Sequence, residues 1–404
     1  LTVNSGQRFS SGVAVVTDAR LRIAVTIIRS LGRAGIPVLA AEARDVPNPI
    51  GFYSAYSRGH LHLSSQAHRQ PTPGDLKALV EAAKPEGVIV PVFTQAVSLL
   101  SRFEDAIEKP VRFLVPPSNS LLKAHDKTQC FQMAKELDVP TPATYLPESV
   151  GVNPAEPDAL QSWATGLPFP VIVKYRSGED KGLPAEQRFA ICRDPAEFAS
   201  QYARMHAVQP YPLVQEYVEG LDYGAALLYD KDSRLLAAFT YRSIRQLPMA
   251  AGPTVYAETV WCPELVEYSH RMLSALNWRG MAMLDFRRDR QGRFFMLEIN
   301  PRFWGSLALA VLAGVDFPLL YYRACLDQTV KQPVQRDGVR VRYFPQDFIA
   351  ISEYARNSNR PLAYALGSVV ELLNPRLADG LMSLRDPLPG LAYLLGGIFK
   401  HARD

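Results

Sequence analysis

The chain has 404 residues, 48% hydrophobic and 21% charged, an ordinary globular composition that is too long for one compact core, so about two to four domains are expected. Its formal net charge is +4 with no dominant Lys/Arg block, which argues against a nucleic-acid surface and leaves scattered cations suited to small anions such as phosphates. Cys130, Cys192, Cys262 and Cys325 form no C-x-x-C pair and have no His at ligand spacing, so a disulfide framework and a zinc site are both disfavoured and reduced thiols are expected.

The opening LTVNSGQRFSSG is polar and lacks the charged and apolar regions of a signal peptide, from which a cytoplasmic location is expected. From residue 13 to about 117 short apolar runs alternate with helical patterns. VAVVTDA predicts a buried strand, LRIAVTIIRSLGRAG an amphipathic helix ended by Gly35, and IPVLAAEA the next strand. GDLKALVEAAK (helix), GVIVPV (strand), TQAVSLLSRFEDAI (helix) and VRFLVPP (strand) follow, a βαβ rhythm that implies a doubly wound parallel sheet. A dinucleotide site would place G-x-G-x-x-G after the first strand; the turn here is TDARLR, which disfavours it.

From Ser118 one helix is predicted through NSLLKAHDKTQCFQMAKELD, stopped by Pro140 and Pro142, and a Pro-rich connection follows. FPVIVKYRSGEDKG reads as a buried strand carrying Lys174 near its end and opening into a polar loop. YPLVQEYVEGLDYGAALLY reads as strand, hinge and strand; PELVEYSHRMLSALNW as a helix; NPRFWGSLALAVLAGVDFPLLYYRACL as leading into another. Beyond about Lys331 the pattern is mostly helical and chemically uninformative. The apolar run LPGLAYLLGGIF is about a dozen residues, too short to span a bilayer and interrupted by Pro389 and Gly390, so packing against the protein body is expected.

The segment MLDFRRDRQGRFFMLEINPR predicts a hairpin turning at DRQG. Glu298 and Asn300, two apart on a strand, face one side, and Asp285 on the neighbouring strand can come opposite them. Three oxygen donors with open positions suit Mg²⁺ completed by phosphates, whereas a solvated strand edge would equally tolerate the three residues alone. Lys174, after an apolar strand, calls for an anion at the strand end or a snorkelling path to water. Taken alone, Lys127 could equally be a solvated helix lysine, and Glu216 and Glu219 ordinary surface charges, raised only by their position after a strand with Gly220 behind them.

With HDK, VIVKY and QEYVEG upstream of LDF…LEINPR, the chain resembles ATP-grasp enzymes of the carboxylate–amine ligase type over roughly residues 13 to 330. The resemblance implies an α/β and α+β multidomain fold: a doubly wound pre-ATP-grasp domain at 1–117, a small ATP-grasp lobe at 118–212, a large lobe with the metal site at 213–330, and a mostly helical extension at 331–404. It implies Asp285, Glu298 and Asn300 as ligands of Mg²⁺, with Mn²⁺ as a substitute, and Arg302 at the transferred phosphoryl group. It further implies Lys127 and Lys174 on the ATP phosphates, Glu216, Tyr217 and Val218 as the adenine hinge, and Asp222 on the ribose hydroxyls. The loop after Lys174, RSGEDKG, holds two glycines and two acids where the family is often glycine-rich; Glu179 and Asp180 must point away from phosphate, so its closure is expected to differ.

The implied reaction moves the γ-phosphoryl of ATP onto a carboxylate; an amine then displaces phosphate from the acyl phosphate, giving an amide, ADP and phosphate. Arg242 and Arg245, in TYRSIRQLP, could anchor the acceptor carboxylate or help the phosphates, or be strand charges facing water; Arg58 is a more remote candidate. Expected partners are small-molecule carboxylate and amine substrates, with no nucleic acid and no transmembrane segment, and the apolar tail could mark a homodimer contact. An ATP-binding regulatory protein without turnover and a kinase of a small acceptor are the alternatives.

Overall fold

The computed structural model describes residues 12–107, 111–146, 156–176, 187–249, 252–371, 374 and 377–401. The chain divides into two compact units, Leu1–Leu121 with Gly224–Leu284 and Ile299–Asp404, and Leu122–Tyr223 with Asp285–Glu298.

In the first unit, β1 (Ala14–Val16), β2 (Val38–Ala43), β3 (Ser57–Leu63) and β4 (Val88–Val90) form a parallel sheet ordered β3-β2-β1-β4. β1, β2 and β4 are wholly buried, as their Val/Ile/Leu/Ala runs require when helices cover both faces; the one charge among them, Glu42 on β2, is paired with Arg20. Helix Arg22–Arg33 connects β1 to β2 and ends where Gly35 takes φ +80°, with Ile36 N–H bonded to Leu31 O. Helix Pro73–Ala83 starts in a capping box between Thr72 and Asp75.

Two local expectations change. VRFLVPP makes only a single bridge, Val88 with Arg112, because the Tyr321 hydroxyl takes both the N–H (2.8 Å) and the C=O (3.0 Å) of Leu114 in place of a ladder. The edge strand β3, SRGHLHL, carries too weak an alternation to be foreseen; Arg58 lies on it, exposed.

In the second unit, β5 (Thr144–Tyr145), β6 (Val171–Lys174), β7 (Phe189–Cys192) and β8 (Leu213–Glu216) form an antiparallel sheet ordered β5-β8-β6-β7. Helices Pro157–Thr165 and Pro195–Val208 cover it through Trp163, Phe198 and Tyr202, whose rings meet edge-on at 5.3 and 5.6 Å. The single helix expected from Ser118 is two, Ser118–His125 and Lys127–Glu136. Asp126 breaks it by capping the second helix, its carboxylate accepting from Thr128 and Gln129 N–H.

A seven-stranded sheet runs β13-β12-β9-β10-β11-β14-β15, from β9 (Gly220–Tyr229), β10 (Leu235–Gln246), β11 (Thr254–Thr259), β12 (Gly280–Asp289), β13 (Phe294–Asn300), β14 (Arg340–Arg342) and β15 (Leu377–Asp379). The C-terminal region is mostly helical, with Gln346–Arg356, Pro361–Val370 and Leu388–His401, yet it also supplies β14 and β15. Among the described residues no helix is long and apolar enough to cross a membrane.

Candidate functional site

Within the second unit, the chain after helix Lys127–Glu136 runs beside β13, where Met296 N–H donates to Pro140 O at 2.8 Å, two residues before Glu298. Lys127 is the first residue of that helix, and its Nζ lies 3.3 Å from Glu298 Oε2. Lys174 closes β6 after the buried Val171–Val173, between Leu213 and Phe189 on the flanking strands. Burial first, and then the charge of Lys127, pushes its ammonium down to about 8, with Glu298 opposing. Among the described residues no carboxylate forms an ion pair with Lys174. Glu179 and Asp180, in the loop that follows, lie outside the described residues.

β8 leads through Tyr217, Val218 and Glu219 into β9. Glu216 N–H donates to Ala143 O (2.9 Å) and Tyr217 N–H to Pro170 O (3.1 Å), so this hinge is pinned on its entry side. Gly220 permits the close approach to β12: a Cβ there would stand 1.9 Å from Arg288 O. Both oxygens of Asp222 are taken by Arg287, at 2.5 Å to Nε and 2.9 Å to Nη2, so the residue expected on the ribose hydroxyls is held in a bidentate pair.

Asp285 is half-buried between the buried Leu284 and Phe286 on β12, and Glu298 is half-exposed on the neighbouring β13. Among the described residues no group of three His, Cys, Asp or Glu could by itself hold a metal. The oxygen donors of Asp285 and Glu298 are of the type that suits Mg²⁺ completed by phosphate rather than a thiophilic metal.

The fold is shared with solved structures. Biotin carboxylase from Campylobacter jejuni superposes with a TM-score of 0.61 at 13% identity, over 79% of this chain and 72% of that one. N5-carboxyaminoimidazole synthetase from Staphylococcus aureus gives 0.60 at 12% identity, over 81% of each chain. Residues 210–346 match the family described as "ATP-grasp in the biosynthetic pathway with Ter operon".

Residues 210–346 thus resemble an ATP-grasp family, and the chain shares its fold with these two structures.

D-alanine–D-alanine ligase of Pseudomonas putida strain GB-1 is 28% identical to this chain over 198 residues, 44% of the chain and 54% of the ligase. The same-named enzyme of Alkalilimnicola ehrlichii is 28% identical over 213 residues, 50% of the chain and 64% of the ligase. The chain thus spans about half the length of the first of these curated relatives.

The remaining expected residues belong to the first unit. Asn300 is buried at the end of β13; Arg302 reaches its Oδ1 from Nη2 at 3.3 Å and stacks 4.6 Å over the Phe93 ring. Arg242 and Arg340 clasp Glu258 across β10, β11 and β14, at 2.6 and 2.9 Å. Burial pushes the Glu258 carboxyl up, but hydrogen bonds from Arg242 and Arg340 hold it below the usual range. Arg245 is buried and gives Nε and Nη2 to the buried Asp347, at 2.7 and 3.0 Å, with its guanidinium 4.4 Å over Tyr256.

Sequence reasoning missed Arg287, Glu258 and Asp347. For Arg287 a signal existed: it stands two residues after Asp285, hence on the same face of β12. Glu258 and Asp347 carry no local mark.

Proposed function

We propose that this chain is an ATP-dependent ligase of the ATP-grasp type that activates a carboxylate as an acyl phosphate and joins it to an amine, releasing ADP and phosphate. The observation that carries the reading is Lys174: an ammonium at the end of an apolar strand, without a carboxylate partner among the described residues, beside the Lys127–Glu298 pair. Such a group stabilises an anion at that point, and the hinge at Tyr217–Val218 lies at the end of the adjoining strand β8. The likeness to D-alanine–D-alanine ligases supports amide-forming chemistry on small molecules.

In this reading Asp285, Glu298 and Asn300 hold Mg²⁺, which when bound neutralises phosphate charge. Lys174 and Lys127 donate to phosphate oxygens. The Val218 backbone faces the base. Arg302, its guanidinium 4.6 Å over the Phe93 ring, meets the reacting phosphoryl or tetrahedral centre. Arg242, with a side chain 39% exposed, is the arginine we assign to an acceptor carboxylate; Arg245, closed by Asp347, we assign to the fold. Cys130 and Cys192 are poor nucleophiles, because burial pushes both thiols up to about 12.

The test is a screen of carboxylate and amine pairs with ATP and magnesium, following phosphate release. Release that requires both partners is expected. A stable phosphorylated acceptor, or nucleotide binding without turnover across the screen, would replace the ligase with a kinase or a switch.

A further inference from the structure

We infer that Arg287 is a positioning residue for the nucleotide base, holding the Val218 carbonyl and the Asp222 carboxylate in one fixed frame; this rests on reading Tyr217–Val218 as the base-binding hinge. Arg287 stands on β12 with a side chain only 9% exposed, and three of its donors are directed at the hinge segment. Nε and Nη2 meet the two Asp222 oxygens at 2.5 and 2.9 Å, Nη1 meets Val218 O at 3.4 Å, and Cζ lies 5.6 Å from the centre of the Tyr217 ring. One planar cation thus touches the segment at positions 217, 218 and 222.

A buried guanidinium is expensive to desolvate, and here one bidentate carboxylate offsets that cost while orienting it. The remaining nitrogen, Nη1, is then aimed by the pair at a main-chain oxygen. With Glu216 and Tyr217 N–H fixed by Ala143 and Pro170 on the other side, the hinge is held from both flanks before any ligand arrives. An oriented carbonyl with a second lone pair accepts from the exocyclic amine of adenine and repels the 6-oxo group of guanine. Arg287 therefore contributes to nucleotide affinity and base choice without touching the ligand. Lysine could keep the charge but not the fork, since three donors would have to radiate from one point.

The experiment measures dissociation constants of ATP and GTP by calorimetry in magnesium for the wild type, Arg287→Lys, Arg287→Gln and the double variant Arg287→Gln with Asp222→Asn, alongside steady-state kinetics and thermal melts. The double variant replaces the pair with neutral groups of similar size, so no buried charge is stranded. We expect Arg287→Gln to weaken ATP about tenfold or more, as is usual when a group that orients a binding residue is lost. The ATP preference over GTP narrows, the change appears in KM for ATP rather than in kcat, Arg287→Lys recovers part of it, and the double variant is no worse than Arg287→Gln. Wild-type ATP affinity and selectivity in the folded double variant would overturn the assignment alone. Failure of every variant to fold would make the pair a fold element and overturn it equally. A wild-type protein giving no heat with magnesium ATP would remove the base-site reading and this inference with it.

Discussion

Lys127 Nζ stands 3.3 Å from Glu298 Oε2, so two residues assigned to opposite charges of magnesium ATP hold each other. Glu298 is 41% exposed, and an ion pair so open to water contributes at most about 1 kcal/mol to stability. Each partner can leave the other for a ligand of the right sign at little cost. Glu298→Gln is therefore expected to melt close to the wild type while ADP formation falls about a hundredfold or more. Wild-type turnover in this variant would remove Glu298 from the site.

Lys174 carries a pH signature. Its ammonium, set at about 8 by burial and by Lys127, is lost as pH rises through that value, and the charged groups around it are Lys127, Glu298, Arg287 and Asp222. Nucleotide affinity should hold below pH 8 and fall above it, by no more than about tenfold per unit for one proton. Binding near pH 8 should also take up a proton, because a phosphate beside the amine favours its charged form; calorimetry in buffers of different ionisation enthalpy reads this directly. A flat affinity from pH 7 to 9.5 would exclude Lys174 from the phosphates.

The same group sets a stability trend of the opposite sign. Between about 8 in the folded protein and the ordinary lysine value of 10.5, the unfolded chain binds the proton and the folded chain does not, so Lys174 makes stability rise with pH across that window. Lys174→Met should flatten that rise and raise the melting temperature below pH 8, while abolishing ADP formation. Denaturant titrations at pH 7.5 and 10 on both proteins check the difference; equal slopes would mean the amine is solvated.

The parts of this architecture that were legible are those with a local period. The apolar runs of β1, β2 and β4 declared a parallel sheet, the VIVK run put Lys174 at a strand end, and the two-residue spacing of Glu298 and Asn300 matched a strand face. What was missed depends on partners far apart in the chain. Arg287 meets Asp222 from 65 residues away and Arg245 meets Asp347 from 102, and neither partner's neighbours record the pairing. β14 and β15 have three residues each, too few for any alternation to register. Asp126 was readable as a cap but sat inside a run with helical period on both sides, so a break looked like a continuation.

The Arg245–Asp347 pair gives a prediction that separates fold from chemistry. Both side chains are at most 5% exposed, and removing one partner strands a buried charge, at a cost of about 3–5 kcal/mol. Asp347→Ala should lower the denaturant midpoint steeply. Arg245→Met with Asp347→Leu, which removes both charges, should recover most of the loss and retain ADP formation. If the double variant folds but is inactive, Arg245 acts on substrate after all.

Gly220 tests the hinge through its backbone. A methyl group there would lie 1.9 Å from Arg288 O and 2.7 Å from Arg288 C, both main-chain atoms of β12 that cannot swing aside as a flexible side chain could. The strand or the hinge must shift, an overpacking strain of about 1–3 kcal/mol. Since Val218 and Asp222 flank Gly220 by two residues on either side, the displacement should reach both contacts to Arg287. Gly220→Ala is therefore expected to weaken ATP binding more than it lowers kcat, whereas Gly305→Ala, where a Cβ meets nothing within 4 Å, offers a steric control in the other unit. Unchanged ATP affinity in a folded Gly220→Ala protein would mean that the Tyr217–Val218 segment does not contact the nucleotide.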